Sequence, residues 1–320
     1  MTTTIGKTHK AYRLHAYGGP ENLRLDDVPI PTPGKAQVLV AVSAVGMNPF
    51  DWKVRDGMVK DFVPFELPKV LGVDFVGAVA ALGEGSSRFK IGDRVMTLST
   101  SLGAFAEHIA VDEAVLARVP ESLSDLDAAT LPIPALTAWT ALHTTEEVRP
   151  GMKILIHGAS GTVGAFAVQF AKAIGGKVIG TASGKNREYV LGLGAHEFID
   201  YQTQKFEHLV KDADLVLDFV LMGGSKNTTD RSWSVLKPGG AIVSLSDPSI
   251  LGKIPDGFRG FFPQILPDST VLETIAGQLA TGKIKSKIAR VFSRKELPEA
   301  MEINKAGGTT GRLIVDFKSA

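Results

Sequence analysis

The hydrophobic positions follow two different rhythms along the chain. From Ala11 to Val111 they fall in short runs broken by glycine and proline. Tyr17-Gly-Gly-Pro20 reads as a turn and the stretch from Pro29 to Gly34 as a loop, because proline presets φ and glycine admits positive φ. Gln37–Val45 is β-rich, and Val45–Gly57 breaks into a loop followed by a short helix. Further β-rich runs occupy Lys69–Gly83, Phe89–Val95 and Gly103–Val111. Many short strands with glycine punctuation predict a twisted, partly open β-barrel. From about Ser124 helical and strand patterns alternate, which predicts an α/β doubly wound parallel sheet. Its strands are expected at Lys153–Ile156, Lys177–Thr181, Glu197–Asp200, Asp214–Val220 and Ala241–Leu245. Asp247–Pro267, rich in glycine, proline and aromatics, reads as a mobile loop. Thr270–Thr281 is helical and stops at Gly282, and Ile288–Phe292 and Gly311–Phe317 return to strand.

One stretch combines these signals with chemistry. After the apolar run Lys153–Ile156 come Gly158, Gly161 and Gly164, then a helical stripe of Val163, Phe166, Ala167, Phe170, Ala171 and Ile174. Strand, glycine turn and helix in that order make a phosphate cradle, since the first helical N–H groups and the helix dipole favour an anion. Ala159 takes the place of the first glycine of G-x-G-x-x-G, and Ser160, Gly161, Thr162, Val163 and Gly164 become the candidate pyrophosphate contacts. The alternative is a tight turn with no ligand. After the second strand, an NAD-type site would place an acid on the ribose hydroxyls. The chain reads Thr181-Ala-Ser-Gly-Lys185-Asn-Arg187, with no acid before Glu188. Ser183, about 20 residues past Gly161, together with Lys185 and Arg187 would attract a 2′-phosphate that a carboxylate repels. NADPH is therefore the expected cofactor, the alternative being that Lys185 and Arg187 only decorate a solvated helix start.

Composition narrows the classes. At 320 residues two domains are expected. The formal charge of +1 gives no pull toward nucleic acid or an anionic membrane. There are no cysteines, so thiolate nucleophiles, disulfides and cysteine-ligated zinc are excluded, and a reducing compartment is expected. Met1–Lys10 has no apolar core of the secretory type, and Ala128–Leu142 is too short for a membrane span.

The order of Asn48-Pro-Phe-Asp51, Gly72-Val-Asp-Phe-Val-Gly77, Gly92-Asp-Arg-Val95, Leu136-Thr-Ala-Trp139, the glycine turn and Gly311-Arg-Leu-Ile-Val315 resembles the medium-chain dehydrogenase/reductase superfamily. Within it the chain is most similar to zinc-free quinone oxidoreductases and alkenal or enone reductases. The resemblance covers nearly the whole chain. It implies a GroES-like substrate domain over 1–123 and 288–320 and a Rossmann NADPH-binding domain over 124–287. It also implies that Asn48 lies beside the nicotinamide and bonds its carboxamide or the substrate carbonyl; the alternative is an Asn-Pro turn residue. Thr137 is similar to a threonine near the nicotinamide, or else a helical hydroxyl bonding its own backbone. Tyr201 would join Ser183 and Lys185 at the 2′-phosphate ribose. Phe219, Val220, Leu245 and Ser246 end successive strands, where open sheets bind ligands. For Arg312 a cofactor contact rests on analogy, with a surface role as the alternative.

The departures from the superfamily's zinc branch set the expected chemistry. Where that branch has a catalytic cysteine and histidine, this chain has Asn48 and Val73, neither a zinc-ligand type. Alcohol oxidation without a Lewis acid leaves an alkoxide unstabilised. Conjugate hydride transfer instead spreads charge onto a distant oxygen that hydrogen bonds can hold. The expectation is NADPH-dependent hydride transfer to a quinone or to the C=C bond of an α,β-unsaturated carbonyl, with no metal and no identified proton donor. An NADPH-binding sensor or structural protein is the second reading and an alcohol dehydrogenase the third. The substrate is expected to be a small hydrophobic electrophile lined by Phe50–Met58, Phe62–Phe65 and Asp247–Pro267. A cytoplasmic homodimer joined through the Rossmann domain, with no nucleic-acid or membrane partner, completes the expectation.

Overall fold

The computed structural model describes residues 6–99, 101–145, 148–220 and 227–319. The first half of the Met1–Lys10 stretch therefore lies outside the described residues. Two compact units are present, one formed by residues 1–133, 266–283 and 288–320, the other by 134–265 and 284–287.

The first unit is organised on the strand Gln37–Gly46, which is buried along almost its whole length. It pairs antiparallel with Asp74–Leu82, with His108–Asp112 and with Arg312–Asp316. Ile288–Ser293 extends this sheet on one side and Arg94–Leu98 and Ala117–Arg118 on the other. A second sheet of Leu23–Pro29, Thr8–Leu14 and Lys69–Val70 is tied in by a bridge between Ala11 and Ala106. Between them lies a core that includes Val40, Leu71, Phe75, Phe105, Leu116 and Phe292. Gly72 has φ +88°, and a Cβ there would run into the Phe105 ring, so no larger residue fits this turn. Pairing of Ile314 with Gly46 brings the C-terminal strand beside the end of Gln37–Gly46.

The boundaries differ from those expected in two places. The helix Asp125–Ala128 groups with the first unit, where Arg94 and Lys318 both pair with Asp125, each at 2.6 Å. The helix Ser269–Ala280 does so as well: it packs on Ala117–Arg118, where its Glu273 carboxylate accepts the Arg118 N–H at 2.8 Å. Both links are side-chain contacts between distant segments, which periodicity does not reveal.

Among the described residues the second unit holds six parallel strands in the order Glu197–Asp200, Lys177–Ala182, Lys153–His157, Ala213–Asp218, Leu236–Ser244, Arg259–Phe261. Counted along the chain this is 3-2-1-4-5-6, the doubly wound Rossmann order, with its switch point beside Lys153–His157. Ile154, Leu155 and Ile156 are fully buried, as a strand covered on both faces requires. Asp247–Pro267, expected as a loop, is not loop throughout. It carries a short 3-10 turn, Pro248–Gly252, and the sixth strand, which pairs with Ala241–Val243. Ile250 enters the core, and Phe258 packs on Trp233. A three-residue strand is too short to show a period, and Gly260 permits the close approach of Ile254 at this edge.

Candidate functional site

The glycine turn is built from backbone. Gly158 takes the left-handed conformation, φ +71°, at the end of Lys153–His157. Gly161 then caps the helix Thr162–Ala173 with no side chain bonded to the first turn. A Cβ on Gly164 would overlap the Gly158 carbonyl, so the helix packs directly against the turn. Phe166, Ala167, Phe170 and Ala171 are buried behind it and hold the helix in place. The first N–H groups of a helix have no partner within it, and here they open the turn to an anion. The ends of the neighbouring strands converge on the same edge: Phe219 N–H bonds the His157 carbonyl at 3.4 Å and Leu245 N–H the Asp218 carbonyl at 3.1 Å. This brings Phe219, Val220, Leu245 and Ser246 to the carboxyl ends of the strands. Residues 221–226, which follow, lie outside the described residues.

His157, at the mouth of the first strand, is not available for acid chemistry. Its ring nitrogens face Thr181 Oγ1 and Ser232 Oγ, both at 3.0 Å. Burial, reinforced by the Arg231 charge, pushes its pKa down to about 3. Asp218 is likewise buried, with its pKa raised by desolvation against the opposing bonds from Thr229 Oγ1 and Val220 N–H.

The second strand ends in the hydroxyl-and-lysine turn. Asn186, to which the sequence assigned no role, binds it to the glycine turn: its Nδ2 donates to Ser160 Oγ and to Ser183 Oγ, each at 3.1 Å. Tyr201 N–H bonds the Ala182 carbonyl at 3.3 Å, so Ser183, Lys185 and Tyr201 share one end of the sheet. Lys185 and Tyr201 are exposed. Arg187 is directed elsewhere, its guanidinium 5.5 Å from the Phe198 ring. Thr137 is buried within the helix Pro132–His143.

A second cluster lies inside the first unit. Asn48 is 2% exposed and precedes the helix Pro49–Arg55. Its Nδ2 donates to the Gly46 carbonyl and to Asp74 Oδ1, each at 3.1 Å. The Asp51 carboxylate accepts the Asn48 N–H at 2.8 Å, the carboxylate arm of a capping box. Arg312 pairs with Asp74 Oδ2 at 2.6 Å and donates to the Met47 carbonyl at 2.8 Å. It is 4% exposed, so the expected surface alternative for Arg312 is corrected. A Cβ on Gly46 would collide with that guanidinium, which explains the glycine. Two carboxylates and one guanidinium cannot all stay charged cheaply out of water. Desolvation, then the nearby Asp74, pushes Asp51 up to about 8. Asp74 is also raised by burial, while Arg312 acts to lower it. Asn48 Oδ1 is buried with no hydrogen-bond partner. Because both amide hydrogens face acceptors, the free end of Asn48 is an acceptor. Asn48 is thus the N-cap residue of Pro49–Arg55, as its turn reading expects, and it leaves one side-chain oxygen unsatisfied. Val73, at the second zinc-branch position, is buried.

The sequence pointed to Asn48 and Arg312 separately. It missed Asp74 as the group that joins them, and no local spacing signals contacts 26 and 238 positions apart along the chain; Asp51, three residues from Asn48, had the capping-box spacing and was not used. Among the described residues, no helix is long and apolar enough to cross a membrane.

Comparison with known proteins agrees with the two folds. The family model for the alcohol dehydrogenase GroES-like domain matches residues 34–121, that for zinc-binding dehydrogenases 193–315, and that for the C-terminal domain of alanine dehydrogenase/PNT 127–246. The chain is 32% identical to the chloroplastic quinone-oxidoreductase QR1 of Triphysaria versicolor, over 97% of this chain and 99% of that protein. Its fold is similar to the quinone oxidoreductase of Coxiella burnetii, with a TM-score of 0.89 and 32% identity over 97% of this chain and 99% of that one. It is similar also to the Escherichia coli quinone oxidoreductase solved in complex with NADPH, with a TM-score of 0.86 and 27% identity over 96% and 99%. The chain belongs to the quinone oxidoreductase branch of the medium-chain dehydrogenase/reductase superfamily, with a GroES-like domain and a Rossmann-like domain, and is an oxidoreductase that uses a nicotinamide cofactor.

Proposed function

We propose that this protein is an NADPH-dependent reductase that delivers hydride, without zinc, to a quinone or to the C=C bond of an α,β-unsaturated carbonyl. The observation that carries this reading is the turn of Ser183 and Lys185, locked by Asn186 to Ser160 of the glycine turn. A hydroxyl and a cation there suit a 2′-phosphate. The relative solved with NADPH bound supports the same choice.

Bound NADPH supplies the hydride. The N–H groups at Thr162, Val163 and Gly164 hold its pyrophosphate, with Ser160 and Gly161 shaping the turn. Ser183, Lys185 and Tyr201 hold the phosphorylated ribose, and Thr137, Phe219, Val220, Leu245 and Ser246 line the rest. Asn48 Oδ1 accepts an N–H of the nicotinamide carboxamide. Its own hydrogens are committed to Gly46 and Asp74, so it does not donate to the substrate carbonyl. Arg312 acts through Asp74 rather than on the coenzyme directly. At the positions of the zinc branch's catalytic ligands, the amide of Asn48 and the isopropyl group of Val73 do not fit the ion, and no step needs one. No side chain is assigned as the proton donor, and solvent or the coenzyme ribose hydroxyl completes the reduction. A small apolar electrophile as substrate, a cytoplasmic setting and a homodimer through the coenzyme unit belong to the same reading.

The purified chain should oxidise NADPH with 9,10-phenanthrenequinone or with a small enone as acceptor, and chelators should not slow it. NADH serving better than NADPH would overturn the coenzyme assignment. NADPH binding without turnover across an acceptor panel would favour a sensor. Lys185→Glu should raise the KM for NADPH roughly tenfold or more and leave that for NADH nearly unchanged.

A further inference from the structure

Strand pairing supplies a carboxylate where the chain order shows none. Ala182 and Asp200 are register partners at the ends of adjacent parallel strands. Asp200 Oδ2 lies 2.5 Å from where a Cβ on Gly184 would sit, so the carboxylate rests against the Ser183–Gly184–Lys185 turn. The side chain is held there from behind. Its Oδ1 accepts the Gln202 N–H at 3.0 Å, and the Asp200 N–H donates to Gln204 Oε1 at 3.0 Å. Only Oδ1 is used in that turn. Half-buried and next to Tyr201, Asp200 stands within the group of residues assigned to the adenosine ribose.

Resting on the reading that this turn holds that ribose, we propose that Asp200 is a coenzyme-specificity residue: its carboxylate accepts a hydrogen bond from a ribose 2′-hydroxyl and repels a 2′-phosphate, so that the protein uses NADH beside NADPH. The acid that an NAD-type site carries after its second strand is supplied here from the third. Lys185 and Asp200 act on a 2′-phosphate with opposite sign from either side of one glycine. Near a protein surface their Coulomb energies are of the same order, so they offset one another and the preference for NADPH narrows rather than reversing. Gly184 has a place in this arrangement, since any side chain there would push the carboxylate away from the turn.

The competing account is that Asp200 only closes its own turn through Gln202. Asp200→Asn separates the two, because an amide oxygen still accepts the Gln202 N–H while the charge is gone. The kcat/KM ratio of NADPH over NADH should rise about tenfold, carried by KM with kcat unchanged, and the effect should shrink as salt is added. The inhibition constant of 2′,5′-ADP against NADPH should fall by a similar factor, while that of 5′-AMP should not. Asp200→Ser, which also keeps an acceptor for Gln202, should shift the ratio in the same direction. An unchanged ratio in both variants, with 2′,5′-ADP still competing, would make Asp200 a turn residue and overturn the proposal. If 2′,5′-ADP fails to compete with NADPH even in the unaltered protein, the coenzyme reading itself falls and the proposal with it.

Discussion

The glycine turn of the second unit and the Asn48 cluster of the first are built from different materials. The turn is backbone: N–H groups, a left-handed glycine and a helix packed so closely that Gly164 leaves no room for a Cβ. The cluster is side chain: one amide, two carboxylates and a guanidinium, all almost fully removed from water. A backbone site gains its charge from geometry and carries no desolvated ions. A side-chain site must balance its charges internally, and here it does so by pairing Asp74 with Arg312 and by raising Asp51. One should therefore fail through shape and the other through electrostatics.

The largest effect is expected at the turn. Gly164→Val would force a branched side chain against the Gly158 carbonyl, which the backbone can relieve only by moving the helix start. Coenzyme binding, read by NADPH fluorescence, should be lost, and unfolding should show a loss of about 3 kcal/mol or more. Retained binding would mean that the turn tolerates a shift the close packing denies.

In the cluster, Asp74→Ala leaves Arg312 buried without its carboxylate and should cost about 3–5 kcal/mol in denaturant unfolding. The double change Asp74→Leu with Arg312→Met should recover most of that loss. Additive losses in the double variant would show that the pair is not coupled.

A smaller effect distinguishes the two sites by pH. Between the usual carboxylate range and about 8, the folded chain keeps a proton on Asp51 that the unfolded chain has released. Stability from this group is complete at low pH and declines as pH rises through that window. Asp51→Asn mimics the protonated form, so it should flatten the decline by on the order of 3 kcal/mol between pH 5 and pH 8. Parallel pH profiles for the two proteins would place Asp51 in its ordinary range.

These differences also explain what the sequence disclosed. The turn was legible because strand, glycines and helix lie within one short stretch, and the doubly wound class of the sheet followed from alternating periods, its strand order appearing only in the structure. Asn48, Thr137 and Arg312 entered only through resemblance, and their partners stayed hidden. Asp74 meets Asn48 across paired strands, and Arg312 arrives with the C-terminal strand at Gly46. Asp200 was missed for a related reason: its nearness to Gly184 is set by the pairing of two strands, whereas the reading for a ribose-binding acid ran along one. The sixth strand was too short to carry a period, and the helices Asp125–Ala128 and Ser269–Ala280 were expected in the other unit because the packing that groups them with the first joins segments far apart along the chain.

The central claim is that a reduced dinucleotide, held by the glycine turn and the Ser183–Lys185 turn, provides hydride to an electrophilic acceptor with no metal taking part. The direct test is single-turnover oxidation of NADPH by 9,10-phenanthrenequinone on protein stripped of metal with a chelator. Full oxidation, slowed when the transferred hydrogen of NADPH is deuterium, is the predicted result. Activity that vanishes on chelation and returns with zinc, or failure of the protein to take up the coenzyme at all, would contradict it.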